Sequence, residues 1–238
     1  MSFFDSNTNT SAAAAVAPAP APGKKLPHEL NPRIPPPQPE LNEDPTQLLA
    51  MITCQPYHSW DKYIDRVRDS VSKRVWEINR VDEMEERMRQ LRELIYMGEK
   101  VWIVQGLFFE YGFNITIGED VFIGANCTLL DVGPIKIGSR TMLGPNCQLL
   151  TPDHPIAPEA RRGLEGKESS KPIVIGDDCW IGAGVTICPG ITIGNGTTIG
   201  AASVVTKDVG DRCVVVGNPG RVIKKIRMDG TLEDVPRA

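Results

Sequence analysis

A strict six-residue period constrains what this chain can fold into more than any other feature of its sequence. Between residues 173 and 205 an aliphatic residue occupies every sixth position, and a small or β-branched residue stands two positions before it. An α-helix would repeat every 3.6 residues and a half-buried strand every two, so neither element explains the pattern. The aliphatic positions are Ile175, Ile181, Ile187, Ile193, Ile199 and Val205.

The earlier part of the same region also repeats in sixes, in two shorter runs. Glycine follows many of the aliphatic residues, at the place where a turn would come. A period of six with turn glycines is typical of a parallel β-helix, in which each hexad forms one short strand and one turn and three hexads form a triangular coil. The aliphatic positions are Ile117, Ile123 and Leu129 in the first run, and Ile137, Leu143 and Leu149 in the second.

Three of the six cysteines, Cys127, Cys147 and Cys179, take the small inward position of their hexads. Cysteine packs well as a small apolar side chain, so we expect these thiols to be buried and to take no part in catalysis. The cysteines form no C-x-x-C pair, and the N-terminus lacks the basic start of a signal peptide, which predicts reduced thiols and a cytoplasmic protein.

The charge and the apolar runs exclude two classes of partner. The formal net charge is −4, whereas a nucleic-acid-binding domain usually has a basic face, so we expect no nucleic acid. No apolar run approaches the roughly 18 residues that a membrane-spanning helix needs, so we expect no membrane contact.

The chain divides into four predicted segments. Residues 1–46 are rich in alanine and proline and have too little apolar surface to fold, which predicts a disordered tail; a proline-rich docking site is the alternative. Residues 47–100 have helical periodicity, residues 101–227 have the six-residue period, and residues 228–238 are a C-terminal tail. The predicted fold is therefore an all-β core, a parallel β-helix, with an N-terminal helical segment and a disordered tail.

Two amphipathic helices are predicted within the helical segment. Asp82 followed by Glu85 predicts a capping box at the start of the second helix. The predicted apolar faces contain Trp60, Ile64, Val67, Val71, Val75 and Ile78 in the first helix, and Met84, Met88, Leu91 and Ile95 in the second.

The period breaks between residues 151 and 172, where TPDHPIAPEARRGLEGKESSKP fits no hexad. We expect this segment to leave the β-helix as a loop, and long loops in compact domains are often functional. It contains His154, the one histidine of the β-helix region. Such a histidine is either an ordinary surface residue or a group that accepts a proton near neutral pH.

Several motifs resemble the maltose and galactoside O-acetyltransferase branch of the hexapeptide-repeat acyltransferases, over residues 105–226. The motifs are YGFNITIGED, LLDVGPIKIG, TPDHPIAPEARR, KPIVIGDDCWIGAGVTICPGITIG, GAASVVTKDV and GNPGRVI. The resemblance implies a left-handed parallel β-helix that assembles as a homotrimer. It also implies that acetyl-CoA is the co-substrate and lies in a groove between neighbouring subunits.

The same resemblance implies the catalytic groups. His154 would be the general base that takes the proton of an acceptor hydroxyl as its oxygen attacks the thioester carbonyl. The backbone amide of Ala183 would donate to the negative oxygen that develops. Relatives have serine at this position, but the amide survives the change. Transfer would be direct, because no cysteine lies in the interrupting segment.

The resemblance further assigns residues to the acetyl-CoA groove. Lys207 and the stretch GRVIKKIR place positive charge near one end of the chain, which would suit the phosphates of CoA. A solvated basic terminus is the alternative. Lys224 stands where the galactoside branch has arginine. The implied residues are Ala183, Ala201, Thr206, Lys207, Arg221 and Lys224.

The acceptor site matches the family less completely. Asn126 and Asp131 match family positions, whereas Gly124 replaces an asparagine and Val132 an aspartate of the galactoside enzymes. The maltose branch has valine at the second position, as this chain does. Trp180 would either form an apolar wall for a sugar ring or pack in the core.

The sequence therefore predicts an acetyl-CoA-dependent O-acetyltransferase whose acceptor is a hydroxyl of a sugar or a similar small molecule. An amino-sugar or antibiotic acetyltransferase is the alternative enzyme, and a catalytically silent β-helix that serves assembly is the alternative of another class. A zinc-dependent carbonic anhydrase would need three histidine ligands, so we predict no metal.

Overall fold

The structure is a computed structural model that describes residues 34–235. Residues 1–33 of the predicted disordered tail, and residues 236–238 of the predicted C-terminal tail, lie outside the described residues. Between residues 34 and 235, no helix is both long enough and apolar enough to cross a membrane.

Three helices open the described chain: α1 (Thr46–Ile52), α2 (Lys62–Ile78) and α3 (Met84–Leu94). The carboxylate of Asp61 caps α2, because it accepts the backbone amides of Tyr63 (3.0 Å) and Ile64 (3.3 Å). The predicted apolar face of α2 is buried from Ile64 to Ile78.

Two details of the helical prediction are wrong. Trp60 precedes the cap of α2 and is 56% exposed, with Arg68 stacked over its ring at 5.6 Å. The capping box at Asp82 does not form, because α3 begins at Met84. The Arg87 guanidinium instead donates to the carbonyl oxygens of Val81 (2.9 Å) and Asp82 (3.3 Å).

The last part of the predicted tail contacts α2 through polar groups. The Tyr63 hydroxyl donates to the carbonyl oxygen of Pro37, and the Arg66 guanidinium donates to that of Gln38 (3.1 Å). Arg66 also forms an ion pair with Glu43 at 2.6 Å and holds the pKa of that carboxyl at about 2. The sequence pattern misses these contacts because no apolar periodicity marks them.

Strands then follow in triplets, one triplet for each coil. The first three coils are β1 (Tyr96–Met97), β2 (Trp102–Ile103) and β3 (Phe108–Phe109); β4 (Ile115–Ile117), β5 (Phe122–Ile123) and β6 (Thr128–Leu130); and β7 (Ile135–Ile137), β8 (Met142–Leu143) and β9 (Gln148–Leu150). The interruption contains β10 (Pro152–Asp153), α4 (Pro158–Arg161) and β11 (Ser169–Ser170). The later strands are β12 (Ile173–Ile175), β13 (Trp180–Ile181), β14 (Thr186–Ile187), β15 (Thr192–Ile193), β16 (Thr198–Ile199), β17 (Val204–Val205), β18 (Cys213–Val216), β19 (Arg221–Ile226) and β20 (Leu232–Asp234).

The strands form three sheets, one on each side of a triangular prism. Sheet I has the order β1-β4-β7-β12-β15, sheet II β2-β5-β8-β13-β16-β18-β19-β20, and sheet III β17-β14-β9-β6-β3. Neighbours are parallel and one coil apart, except that β19 and β20 form an antiparallel hairpin on β18. The parallel β-helix predicted from the period is confirmed.

The β-helix begins before the predicted residue 101, because Tyr96 and Met97 pair with Thr116 and Ile117 of the next coil. Past residue 227 the chain adds β20 to the edge of sheet II as an antiparallel strand that ends at Asp234.

The inward positions of the hexads make one continuous core, as the period predicts. Ile117, Ile137, Ile175 and Ile193 stand in register in sheet I, and each is at most 1% exposed. The inward cysteines are buried too, and their thiols donate to backbone carbonyls, as Cys147 does to Gly182 (3.1 Å). These cysteines therefore pack in the core, as expected.

Candidate active site

The turns that join one sheet to the next stack into three corners, and these corners differ chemically. In the capped corner, between sheets I and II, side chains of one coil accept the backbone amides of the coil before it. The amide of Ser139 donates to Asp177 (2.8 Å), that of Asp177 to Asn195 (2.8 Å) and that of Asn195 to Asp211 (2.8 Å). These backbone amides therefore already have acceptors within the capped corner.

The open corner lies between sheets II and III and consists of Ala125, Pro145, Ala183 and Ala201 with the residue after each. Its turns stack in the same way, since the amide of Gly184 donates to the carbonyl of Pro145 (2.8 Å). Within residues 34–235, however, the amides of Ala125, Ala183 and Ala201 donate to no acceptor. The predicted oxyanion donor, Ala183, thus has a free N–H on an exposed turn.

The loop corner lies between sheets III and I, and the interruption of residues 151–172 leaves the β-helix there, as expected. Its base is an antiparallel pair in which Asp153 stands opposite Ser169. His154 follows that pair directly and is exposed. The side chain of Thr151 fixes the exit point, because its hydroxyl donates to the Leu130 carbonyl (2.6 Å) and accepts the Gly133 amide (2.8 Å).

His154 and the Ala183 amide therefore start from opposite corners of sheet III. A strand advances about 3.3 Å per residue, so the side formed by one hexad separates the two corners by roughly 15 Å. Thr206 and Lys207 follow β17 in the loop corner, on the same side as His154, whereas Ala201 lies in the open corner with Ala183. One chain thus presents the predicted site residues in two groups.

The predicted basic cluster is only partly available to a ligand. Lys224 pairs with Asp234 (2.9 Å) within the C-terminal hairpin, so its charge is already partnered. Within residues 34–235, Lys207 and Arg221 have no acidic partner. Arg221 opens β19 directly after Gly220, whose amide donates to the Val204 carbonyl of sheet III (2.7 Å).

Asp131 does not face a substrate. It is fully buried, and its carboxylate accepts the backbone amides of Glu110 (2.9 Å), Tyr111 (3.0 Å) and Gly112 (2.7 Å) from the turn one coil earlier. Burial raises the pKa of Asp131 to about 7, against the three N–H donors, which lower it. Its position gives it a structural role in the loop corner instead of the predicted contact with the acceptor.

Asn126 and Trp180 are both exposed. Asn126 lies in the open corner, two coils before Ala183, and adopts a left-handed conformation (φ 57°) that asparagine tolerates well. Trp180 points outward from sheet II and is 57% exposed, which excludes packing in the core. Its register partners on either side are Met142 and Thr198.

Two repeat families match the β-helix. The bacterial transferase hexapeptide family (six repeats) matches residues 172–207, and the hexapeptide repeat of succinyl-transferase matches residues 114–147. Galactoside O-acetyltransferase of Escherichia coli is 39% identical over 145 residues, which are 60% of this chain and 70% of that protein. The chain belongs to the maltose and galactoside O-acetyltransferase branch of the hexapeptide-repeat acyltransferases.

Two solved acetyltransferase structures have the same fold. A maltose O-acetyltransferase from Clostridium difficile 630 superposes with a TM-score of 0.73 at 42% identity, covering 76% of this chain and 97% of that one. A hexapeptide-repeat-containing acetyltransferase from Vibrio cholerae, in complex with acetyl-CoA, has a TM-score of 0.71 at 33% identity, covering 76% and 98%.

Sequence reasoning about this acyltransferase missed the contacts that hold the loop base. Glu168 receives hydrogen bonds from the side chains of Tyr57 and Ser59, which lie 111 and 109 residues away in the helical segment. No local pattern signals such a pair. Among residues 34–235, no group of three histidine, cysteine, aspartate or glutamate side chains could hold a metal ion.

Proposed function

We propose that this protein transfers the acetyl group of acetyl-CoA to a hydroxyl of a sugar or a similar small molecule, in a site formed between subunits of a homotrimer. The observation that carries the proposal is the division of the site into two groups on one chain. An imidazole lies at the loop corner, free amides lie at the open corner, and sheet III separates them. A neighbouring copy can bring the loop corner of one subunit to the open corner of the next.

His154 is the general base in this proposal. An alcohol is a weak nucleophile near pH 7, and a neutral imidazole can take its proton as the C–O bond forms. A positioned base contributes about 10²–10⁴-fold to the rate. When the C–S bond breaks, the thiolate leaves and takes the proton from the imidazolium, so the base returns to its neutral form. No acyl-enzyme is needed.

The amide of Ala183 stabilises the charge that develops on the carbonyl oxygen. A backbone N–H already fixed by the turn needs no reorganisation, and removing one such donor typically costs about 10²–10³-fold in kcat. Within residues 34–235 the Ala183 amide donates to no acceptor, which supports this role, because the equivalent amides of the capped corner are already bonded. Ala183 lies on an exposed turn.

Several residues of this chain fit acetyl-CoA. Ala201 offers a second free amide at the open corner, and the unpaired charges of Lys207 and Arg221 suit the phosphates. Thr206 lies beside Lys207. Lys224 also suits a phosphate, which would compete with the exposed carboxylate of Asp234 for it.

An exposed apolar ladder supports assembly. Four large side chains point outward from successive strands of sheet II, with exposed fractions between 38% and 57%, and they stack in register. Contiguous apolar surface of this kind marks an interaction site. A second copy of the chain that covers part of the ladder would also bring Trp180 close to the acceptor, as an apolar wall. The side chains are Trp102, Phe122, Met142 and Trp180.

Release of free thiol from acetyl-CoA, measured over a panel of sugar acceptors, tests the reaction. Acceptor-dependent release supports O-acetyl transfer, faster release with amino sugars would favour N-acetyl transfer, and none with any acceptor would favour a silent assembly module. Location in the cytoplasm stays a prediction.

Subunit mixing tests the shared site. Light scattering should give three times the chain mass of 26.1 kDa. His154→Ala subunits refolded together with Ala183→Pro subunits, which lack the amide donor of the open corner, should regain activity, because some interfaces then combine an intact loop corner with an intact open corner. A fully active monomer, or no recovery from well-mixed oligomers, contradicts shared sites.

A further inference from the structure

Within residues 34–235 of one chain, the loop that carries His154 is held to the rest of the protein at its base. Beyond β10 and β11, every residue from 156 to 165 is exposed, and α4 is a single turn that ends at Arg162 in a left-handed conformation. The Arg161 guanidinium donates to the carbonyls of Pro155 and Ile156 (both 3.2 Å), which are contacts inside the loop. The position of His154 therefore depends on what fixes residues 152–154 and 168–170.

Glu168 joins that base to the helical segment. Its amide donates to the Tyr57 carbonyl (3.0 Å) and its carbonyl accepts the Tyr57 amide (2.9 Å), which adds a third extended segment to the β10–β11 pair. The pair ends with Asp153 opposite Ser169, so His154 directly follows one strand of the base and Glu168 directly precedes the other. The backbone of Glu168 thus joins Tyr57 to the base from which the histidine leaves.

The carboxylate of Glu168 makes the same link through its side chain. It accepts the Tyr57 hydroxyl at 3.1 Å and the Ser59 hydroxyl at 2.8 Å, and both donors belong to buried residues. Burial raises the pKa of the Tyr57 hydroxyl, so this group stays a donor. Hydrogen bonds to a carboxylate are stronger than bonds between neutral groups.

The other side-chain contacts of the loop base are weaker anchors. Lys171 and Asp153 form an ion pair in which the two side chains are 57% and 35% exposed. Exposed pairs of this kind contribute little, because water screens them. The Ser170 hydroxyl donates to the Met51 carbonyl at a long 3.3 Å. The Glu168 carboxylate is therefore the strongest side-chain tie between the loop and the helical segment.

We propose that Glu168 is a positioning residue for acetyl transfer: by tying the loop base to Tyr57 and Ser59, it holds His154 where it can reach the acceptor hydroxyl. The inference rests on the proposed role of His154 as the base. Misplacing a catalytic group by about 1 Å can cost about 10²-fold in rate, so a small shift of the loop base is enough to matter.

Four variants test this role, with kcat, the KM of acetyl-CoA and Tm measured for each. Glu168→Ala should lower kcat about 10- to 100-fold and leave the KM of acetyl-CoA within about twofold, since positioning affects the transition state and not cofactor binding. Glu168→Gln keeps one acceptor oxygen and should recover most of the loss. Glu165→Ala removes an exposed carboxylate of the same loop and should match the wild type. His154→Ala in parallel tests the base itself.

The double variant His154→Ala/Glu168→Ala separates the two proposals. If Glu168 acts through His154, the double variant is no slower than His154→Ala alone. A further loss in the double variant, or a kcat of Glu168→Ala within about twofold of wild type, overturns the positioning role. A His154→Ala variant with wild-type turnover instead overturns the proposed base. Should Glu168→Ala not fold, Tyr57→Phe and Ser59→Ala each remove one hydrogen bond and should lower kcat about two- to tenfold; wild-type kcat in both would overturn the proposal.

Discussion

Replacing Asp131 by alanine should destabilise the protein without weakening acceptor binding. Two of the three amides that its carboxylate accepts, those of Tyr111 and Gly112, are buried. A buried donor left without an acceptor costs about 1–3 kcal/mol, so the variant should lose about 2–6 kcal/mol of unfolding free energy. For a chain of this length each kcal/mol corresponds to about 2–4 °C, and Tm should fall by about 10 °C.

Two further variants test whether the loss of unfolding free energy comes from the buried amides that Asp131 accepts. Asp131→Asn has the same shape but must turn its NH₂ group toward at least one amide N–H. Its loss of unfolding free energy should therefore be smaller than that of Asp131→Ala but still measurable. Asp177→Ala removes an exposed carboxylate that accepts a single amide, that of Ser139, and should cost about 1 kcal/mol or less.

Thermal unfolding followed by circular dichroism, at one protein concentration because assembly adds to apparent stability, gives Tm for each variant. Thiol release at varied acceptor concentration gives KM for the folded variants. An Asp131→Ala protein with wild-type Tm and a raised acceptor KM would refute the structural role and restore the predicted contact with the acceptor.

Three other outcomes are expected. His154→Ala should lower acetyl transfer by at least about 100-fold with acetyl-CoA affinity nearly unchanged, measured by thiol release and equilibrium binding, and wild-type turnover would remove His154 from the mechanism. The folded pKa of Glu43, about 2, lies below its unfolded value of 4.5, so its pair with Arg66 stabilises the fold above about pH 4.5 and is lost as the pH falls toward 2. Glu43→Gln should therefore narrow the difference between the Tm at pH 7 and the Tm at pH 3. An unchanged difference would contradict this. Deleting residues 2–40 should leave turnover unchanged and lower Tm slightly, since it removes two carbonyls that α2 uses, and a large fall in turnover would mean that this segment serves the site.

The repeat could be predicted from the sequence because its determinant is periodic. Each inward residue touches its counterpart one coil away, so Ile175 and Ile193 need only the period to be placed. The faces of α2 and α3 follow a period for the same reason. The prediction that Trp60 lies on the apolar face of α2 is wrong because Trp60 matches the helical spacing but stands before the cap at Asp61.

The polar contacts could not be predicted in the same way. Asp131 lies where eight residues instead of six separate Leu129 from Ile137, so the repeat does not assign it a position. A carboxylate there is equally compatible with a ligand and with turn amides, and only the path of the preceding coil decides between them. Tyr57 and Glu168 meet across 111 residues, and neither belongs to a repeat. The free amide of Ala183 is a property of the neighbouring coil, which lacks an acceptor there, and not of the residue itself.

The hairpin β19–β20 has a consequence for polymerisation. A β-helix that ended in a bare parallel coil would offer unpaired strands as a template for another molecule, the route by which stacked sheets grow into fibres. Here the chain reverses after β18, and the outermost strand of sheet II is three residues long and contains Glu233 and Asp234, each in an ion pair with the hairpin. At the opposite end, helices α2 and α3 pack against the first coil. The edge of sheet II and the first coil are therefore covered, which opposes growth along the axis of the stack.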